Sequence, residues 1–314
     1  MKGTAGSLRV DGRWGRARVS GILVVAAMLV GTSAAAPAGD VLRWKFQPGE
    51  TLKFSVEQKV VMSTRGAEIA RKSTRTHTLD FTWKVLSVDA SGEAEITHRI
   101  ERIRLKSEEP PLATFDFDSA STAAPQPGFE GPTRELKSQV GAEFTFKMKP
   151  DGEITDIKLS EETLKHLRET APPGAGEAIT EKSIKDSLIQ SSPPAFPQGA
   201  LEPGKSWSAK PAQVPLPFTV LVMEKTFTYK GNDTSSPNVQ LVGIEVTART
   251  QPIEGADIKA VIRSQEGKGS LTLDSRAGKV TSVRMNQKLE MAITYMGRAV
   301  DQTTEMVTAM TLKP

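Results

Sequence analysis

The sequence predicts a mainly β protein of two antiparallel β-rich halves, curved sheets or half-barrels, joined by a short helical segment. Apolar and polar residues alternate through most of the 314-residue chain, and this period of two is typical of strands with one buried face. Turn-forming pairs such as Pro48-Gly49 and Asp151-Gly152 separate the alternating stretches. Helical periodicity is confined to one segment near residues 159–190. These observations divide the chain into residues 1–38, 39–158, 159–198 and 199–314.

The first 38 residues predict a secretory signal peptide. Five basic residues precede an apolar stretch over 22–30, and small residues follow it up to Ala38. The apolar stretch is shorter than the roughly 20 residues that span a bilayer, so an uncleaved anchor is the weaker alternative. We therefore expect cleavage between Ala35 and Gly39, a periplasmic or extracellular location, and no stable membrane span afterwards.

Charge and cysteine content exclude several classes of protein. Of 41 Lys and Arg residues, five lie in the predicted leader, and of 37 Asp and Glu residues only Asp11 does. The remainder holds 36 residues of each sign, and this formal neutrality argues against a nucleic-acid partner. Because the chain has no cysteine, disulfides, thiolate metal sites and a cysteine nucleophile are excluded.

The first half, residues 39–158, is predicted to be sheet with one irregular excursion. Ile103 and Leu105 are out of phase with the apolar residues before them, which indicates a bulge. Prolines cluster over 107–132, so we expect an irregular surface segment there, with one edge strand near 113–117. The predicted strands cover residues 41–62 (broken by the Pro48-Gly49 turn), 71–88, 93–105, 143–148 and 154–157.

The segment over 159–198 predicts a helix, a second helix and a linker. Ser160 is a suitable N-cap, Glu161 and Glu162 suit the positive end of the helix dipole, and Pro172-Pro173 ends the helix. A second helix is predicted over 177–189. The proline-rich stretch 191–197 then predicts an irregular linker.

The second half, residues 199–314, predicts sheet again. Strands are expected over 214–222, 225–229, 239–248 and 256–263, and a meander of three long antiparallel strands closes the chain from Gly267. The run from Lys279 to Tyr295 would extend about 55 Å as one strand, so we expect it to bend or bulge. The phrase PGETL at 48–52 resembles PGKSW at 203–207, which indicates either an internal duplication or two similar hairpins.

No motif in the sequence indicates catalysis, a metal or a cofactor. His77, His98 and His166 lack metal-ligand spacing, and no GxSxG elbow is present. Asp116 and Asp118 share one side of an extended segment, but calcium loops gather more oxygen ligands in a tight turn, so a solvated edge is favoured. We therefore expect a protein that is not an enzyme and uses no cofactor, and a hydrolase is the least favoured class.

The methionine-rich meander is the unusual feature of the chain. Alternation places an apolar set on one face, and such side chains either fill a core or line an adaptable binding surface. We hypothesise an exported envelope protein that acts as a non-catalytic binding module for a hydrophobic ligand, lipid or peptide, with the predicted helices as a lid. The alternative is a structural or interaction protein of the cell envelope, whose partner would be another envelope protein. The proposed ligand face consists of Leu289, Met291, Ile293, Tyr295, Met306 and Met310.

Several phrases of the chain resemble one known family. They are LRWKFQPGETLKFSVEQ, FDFDS, FTFKMKPDGEITDIKL, LEPGKSW and GSLTLDSRAGKVTSVRM. On these phrases the chain resembles DUF6263, a family of exported bacterial proteins of unknown function. The resemblance covers most of the chain after the leader, and its motifs are structural turns. It implies an exported β-rich protein and carries over no catalytic residues.

Overall fold

The computed structural model describes residues 40–66, 70–111, 114–170, 180, 182, 184–185, 195–216, 219–253, 258–295 and 298–314. These residues form one open antiparallel sheet of 13 strands and two helices, which confirms the predicted mainly β fold. The strands are β1 (Thr51–Gly66), β2 (Ala70–Val88), β3 (Ala94–Glu108), β4 (Phe115–Asp118), β5 (Glu143–Met148), β6 (Ile154–Leu159), β7 (Ser206–Ser208), β8 (Ala212–Leu216), β9 (Thr219–Asn232), β10 (Val239–Pro252), β11 (Ile258–Asp274), β12 (Lys279–Tyr295) and β13 (Arg298–Lys313). The helices are α1 (Glu130–Gln139) and α2 (Glu161–Thr170).

Strands from both predicted halves lie in the same sheet. Its order is β6-β5-β3-β2-β1-β13-β12-β11-β10-β9-β7, with β4 beside β3 and β8 beside β9. The last strand, β13, pairs with β1 from Lys53↔Lys313 to Gly66↔Val300 and so joins the two halves. The division into domains stays a prediction.

The sheet curls until its two edges approach each other. The main-chain N–H of Phe196 donates to the carbonyl of Asp151, between β5 and β6, at 2.7 Å. The carbonyl of the adjacent Ala195 accepts a hydrogen bond at 3.1 Å from the indole N–H of Trp207, on β7. Two neighbouring residues thus link opposite edges, and we call the surface that the sheet encloses the inner face.

An aromatic core fills the end of the sheet that carries these links, which we call the closed end. Residues 40–46 cross it, and the N–H of Trp44 donates to the carbonyl of Pro150 at 2.7 Å. The Trp44 ring packs against Phe46 and Trp83, with centroids 5.6 and 5.8 Å away. Burial of such large side chains supplies most of the driving force for folding. The opposite end of the sheet, where β1 ends at Gly66, is called the open end.

The closed end also contains a buried ion pair. The Lys279 ammonium lies 2.9 Å from Glu50, and the two side chains are 6 and 26 % exposed. The same ammonium donates to the carbonyl of Lys45 and lies over the Phe46 ring. These contacts tie the start of β12 to the segment that precedes β1.

The bulge predicted in β3 is confirmed. Asp80 pairs with Arg102 and Phe81 pairs with Ile100, so Glu101 is the extra residue. It restores Ile103 to the inner face, where that side chain is buried.

The irregularity predicted in the long strand β12 is confirmed as well. Val280 pairs with Leu273 and Ser282 pairs with Thr272, which leaves Thr281 as the extra residue. The predicted three-stranded meander is β11, β12 and β13.

Four strand predictions are wrong. Residues 41–46, predicted as a short strand before the Pro48-Gly49 turn, form no strand. Residues 225–229 are not a separate strand, because β9 runs unbroken from Thr219 to Asn232. Residues 214–222 are not one strand, because β8 ends at Leu216 and pairs with the start of β9 as a hairpin. Residues 256–263 are not separate from the meander, because β11 runs unbroken from Ile258 to Asp274. In each case alternation identified sheet but not where the strand begins or ends.

The irregular excursion predicted over 107–132 is correct for the edge strand, β4, and wrong at its end. There α1 begins at Glu130, with Pro132 in its first turn, where a missing N–H leaves no hydrogen bond unmade. Phe129 and Leu136 pack on Phe115 of β4, so α1 covers part of the inner face beside β3.

The helix α2 confirms the first helix prediction. The Ser160 hydroxyl accepts a hydrogen bond from the N–H of Thr163 at 3.0 Å, as an N-cap does. Leu164 is buried, and Thr163 reaches the carbonyl of Glu143 at the start of β5. The predicted leader lies outside the described residues, as do most of the second predicted helix (177–189) and of the linker (191–197).

The two similar phrases noted in the sequence form equivalent turns. Gly49 donates to the carbonyl of Val85, whose N–H donates to Glu50. Gly204 likewise donates to the carbonyl of Tyr229, whose N–H donates to Lys205. Both glycines have a positive φ, of 82° and 93°, which favours glycine at this position. The resemblance therefore extends to local structure, whereas duplication of the whole halves stays a prediction.

Candidate functional site

The candidate site is the inner face toward the open end, beyond the aromatic core. Core residues occupy inner-face positions near the closed end, but the long strands continue past them. From Met285 to Ile293, β12 alone extends roughly 26 Å at about 3.3 Å per residue. This continuation gives the sheet a lining that the main core does not fill. We call the inner-face residues from Gln287 to Ile293 on β12, together with their cross-strand neighbours on β11 and β13, the open-end lining.

The structure brings the predicted ligand-face residues together. Leu289 and Ile293 lie at alternate positions of β12, and their partners on β13 are Thr304 and Val300. Met306, paired with Gln287, lies between them and the core. Leu289, Ile293 and Met306 are all half-buried.

The remaining predicted residues differ in environment. Met291 is buried outside the main core, with 3 % of its surface exposed, whereas Met310 packs against the main core and belongs to it. Tyr295 ends β12, and its side chain lies outside the described part of the chain. On β9, Leu221 is buried outside the main core, whereas Met223 packs against the main core as Met310 does.

Charge is distributed unevenly between the two faces of the sheet. At the described inner-face positions of the strands there is no Asp or Glu, and the Lys and Arg residues are Lys225, Arg71, Arg75 and Arg298. Acidic residues such as Asp80 and Glu290 point outward and pair with outer-face cations. The described inner-face positions therefore carry a net positive charge.

Lys225 is the half-buried cation of this face. It follows Met223 and precedes Phe227 at alternate positions of β9, and Val246 lies opposite on β10. No ion pair or side-chain hydrogen bond to its ammonium exists among the described residues. Burial lowers the pKa of Lys225, since no carboxylate compensates for the lost hydration.

Two glutamines interrupt the apolar lining near Lys225. Gln58 donates through its amide nitrogen to the sulfur of Met306 at 3.3 Å, a weak acceptor. The Oε1 atom of Gln287 is buried with no hydrogen-bond partner among the described residues. An unsatisfied buried oxygen of this kind costs about 1–3 kcal/mol unless a ligand or water donates to it.

The sheet divides beside this lining. β10 and β11 pair only from Val239↔Asp274 to Glu245↔Lys268, after which each continues with its other neighbour alone. Gly267 lies at the divergence, where an added Cβ would come within 2.6 Å of the Val246 carbonyl oxygen. We call the stretch over which the two strands are unpaired the opening.

Two of the three histidines, His98 and His77, are packed within the sheet. His98 stacks between Phe81 and Phe144, accepts a hydrogen bond from the Trp83 indole at 3.1 Å, and has its pKa lowered to about 4 by burial. His77 lies on the inner face, where burial and then the nearby Arg75 lower its pKa.

The remaining acid and histidine candidates do not converge. His166 on α2 contacts the carbonyl of Ser138. Asp116 and Asp118 point outward, and Asp118 pairs with Arg102, whose hydrogen bond lowers the pKa of Asp118 to about 2. Within the described residues, no group of three His, Cys, Asp or Glu residues is positioned to hold a metal ion.

None of the helices in the described part of the chain is both long and apolar enough to cross a membrane. Among protein-family models, one described as "Family of unknown function (DUF6263)" matches residues 91–280. The match covers β3 to the start of β12 and so includes strands from both halves of the sheet. No curated protein matches the chain.

Solved structures resemble the sheet only in part. A structure titled "Lipid-protein interactions in lipovitellin" has a TM-score of 0.45 at 12 % identity, and covers 86 % of this chain but 26 % of its own. DynF, from the dynemicin biosynthesis pathway of Micromonospora chersina, has a TM-score of 0.23 at 10 % identity and 94 % coverage of both chains. A DUF1329 family protein from Desulfovibrio piger has a TM-score of 0.12 at 5 % identity, covering 80 % of this chain and 83 % of its own. At TM-scores below 0.5, none of these similarities assigns a ligand to this chain.

Proposed function

The chain belongs to the DUF6263 family of unknown function, and we propose that it is a non-catalytic binding module for a hydrophobic ligand. The ligand is a lipid or an apolar peptide segment held on the open-end lining. One observation carries the proposal: the long strands extend the inner face well past the packed core and place Leu289, Met291 and Ile293 on it. A strand that served only to close a core would need no such extension.

The side chains of the lining support this function. Leu289, Ile293 and Met306 are half-buried, a condition in which apolar surface remains available to a ligand. Methionine adapts to ligands of varied shape because its side chain is unbranched and flexible. Apolar side chains that gather on one accessible surface often mark a binding site.

The energetics favour an acyl chain as ligand. Each buried methylene contributes roughly 0.8 kcal/mol, so about eight of them would contribute roughly 6 kcal/mol before the cost of ordering the ligand. Useful affinity therefore requires only a partly filled lining.

Export and the absence of catalysis belong to the same proposal. The basic, apolar and small-residue pattern of residues 1–38 supports export to the periplasm or the extracellular space. The scattered histidines and outward-facing aspartates support a role in binding rather than in hydrolysis. A lipid would reach such a protein in the cell envelope.

Native mass spectrometry and lipid extraction of protein purified from its own envelope test the proposal. We expect the wild-type protein to carry a bound lipid, and Leu289→Asp to lose it because a carboxylate repels the apolar ligand. The matched control is Val261→Asp, which places the same charge on the outer face, where Val261 is 60 % exposed.

A second variant separates ligand loss from unfolding. Leu289→Trp keeps the lining apolar but fills it, so it should exclude lipid while the protein stays folded by circular dichroism. The proposal fails if the wild-type protein carries no lipid and binds none on titration with dodecanoate or 1-dodecanol. It also fails if Leu289→Trp and Val261→Asp retain lipid equally.

A further inference from the structure

We propose that the ligand of the open-end lining carries an acidic headgroup, and that Lys225 is the residue that pairs with it. This inference rests on the proposed function and names the chemical class of the ligand: an anionic amphiphile with one acyl chain at the lining. Three features of the inner face carry it.

The first feature is the isolation of Lys225. Its side chain is half-buried between Met223 and Phe227, with no carboxylate at any described inner-face position of the strands. A buried cation is normally paired, because an unpaired one loses hydration without compensation. A ligand anion supplies the missing partner.

The second feature is the position of Lys225 within the sheet. Lys225 pairs with Val246, and Gly267, which lies against Val246 just past the last paired residues, pairs with Gln287 beside Met306. We call this series of residues one row. On β12 and β13, the open-end lining begins at this row. A headgroup at Lys225 would therefore leave its acyl chain free to extend over Leu289 and Ile293 toward the open end.

The third feature is the polarity of the rest of the row. On β1 and β2 it continues through Val60 to Arg75, an exposed cation for which no ion pair occurs among the described residues. The unpartnered oxygen of Gln287 lies in the same row and accepts a hydrogen bond from a protonated or hydroxyl-bearing headgroup. The row thus offers basic and hydrogen-bonding groups beside the apolar side chains of Met306 and Val60.

Calorimetric titration with ligands of one chain length tests the headgroup. We expect the wild-type protein to bind dodecanoate at least tenfold more tightly than 1-dodecanol, and Lys225→Met to bind the two equally. Lys225→Arg should keep the preference. The matched control is Lys59→Met on β1, where an exposed outer-face lysine is removed and the preference should remain.

Dodecyl phosphate distinguishes the source of the anion. Tighter binding of dodecyl phosphate than of dodecanoate would assign a phospholipid-like headgroup, and the reverse order would assign a fatty acid. Equal binding of dodecanoate and 1-dodecanol by the wild-type protein would overturn the headgroup proposal alone, as would a preference that survives in Lys225→Met. Binding of neither ligand would instead overturn the proposed function.

Discussion

The side-chain amide of Gln265, on β11, forms two hydrogen bonds with the main chain of Ala248, on β10. Its Oε1 accepts from the Ala248 N–H at 2.5 Å, and its Nε2 donates to the Ala248 carbonyl at 3.0 Å. One side chain thus replaces a pair of ladder hydrogen bonds three residues past the last main-chain pair of these strands. It bridges the opening between β10 and β11 at this level.

Removal of this amide should loosen the opening. We expect Gln265→Ala to lower the free energy of unfolding by about 1–2 kcal/mol and to increase hydrogen exchange at Ala248 and the residues after it. Gln213→Ala is the control, since Gln213 is exposed on β8 and no side-chain hydrogen bond of it occurs in the described structure. Unchanged exchange at Ala248 would show that the strands are held apart by other contacts.

The ion pair between Glu50 and Lys279 should stabilise the closed end. Glu50→Gln leaves a buried ammonium without its carboxylate, so we expect a loss of about 3 kcal/mol in the free energy of unfolding. Glu153→Gln breaks the exposed pair with Lys149, which lies at 2.6 Å, and should cost less than about 1 kcal/mol. If urea denaturation gives the two variants similar losses in the free energy of unfolding, burial does not make the Glu50–Lys279 pair the stronger one.

His98 should make the protein sensitive to acid. Its pKa falls from the usual 6.5 to about 4 in the fold, so the unfolded chain binds the proton more readily between these values. Stability is therefore complete above about pH 6.5 and declines as the pH falls toward 4. His98→Gln keeps an acceptor for Trp83 but does not titrate. Between pH 7 and 4.5 we expect its free energy of unfolding to fall by roughly 2 kcal/mol less than that of the wild type. If the free energies of unfolding of the wild type and His98→Gln, measured by urea denaturation, change with pH in parallel, His98 does not have this role.

Alternation was sufficient to predict the sheet, the bulge at Glu101 and the irregular course of β12, because the period of two is a local property of the chain. It does not predict α1, because Gly131 and Pro132 usually interrupt a helix, although the first turn tolerates both. It does not predict the hairpin of β8 and β9 either, because the apolar run over 214–222 does not show where the chain turns.

The site was predicted only in part, because its wall on β9 depends on pairing between distant strands. Leu289, Ile293 and Met306 were identified from one contiguous meander. Lys225 was missed, although one signal was present: it is the charged residue in the apolar phase of Leu221, Met223, Phe227 and Tyr229. Its place in the row of Gln287 and Met306 requires the register of β10 and β11, which local patterning does not contain.

Without ligand, Lys225 should reduce stability. Its pKa is lower in the fold than in the unfolded chain, so the unfolded chain binds the proton more readily and stability rises as the pH increases through that interval. We therefore expect Lys225→Met to raise the free energy of unfolding of lipid-free protein by about 0.5–2 kcal/mol at pH 7. Thermal denaturation of delipidated protein measures the change. A destabilised variant would mean that Lys225 has a structural partner.

Photo-crosslinking with a diazirine-labelled fatty acid tests most directly whether the inner face binds a hydrophobic ligand. Peptide mapping should place the crosslinks on inner-face residues of β9, β12 and β13, among them Met223, Leu289 and Met306, and excess dodecanoate should abolish them. Crosslinks confined to outer-face residues such as Val261, or crosslinks that excess dodecanoate does not reduce, would contradict ligand binding at the inner face.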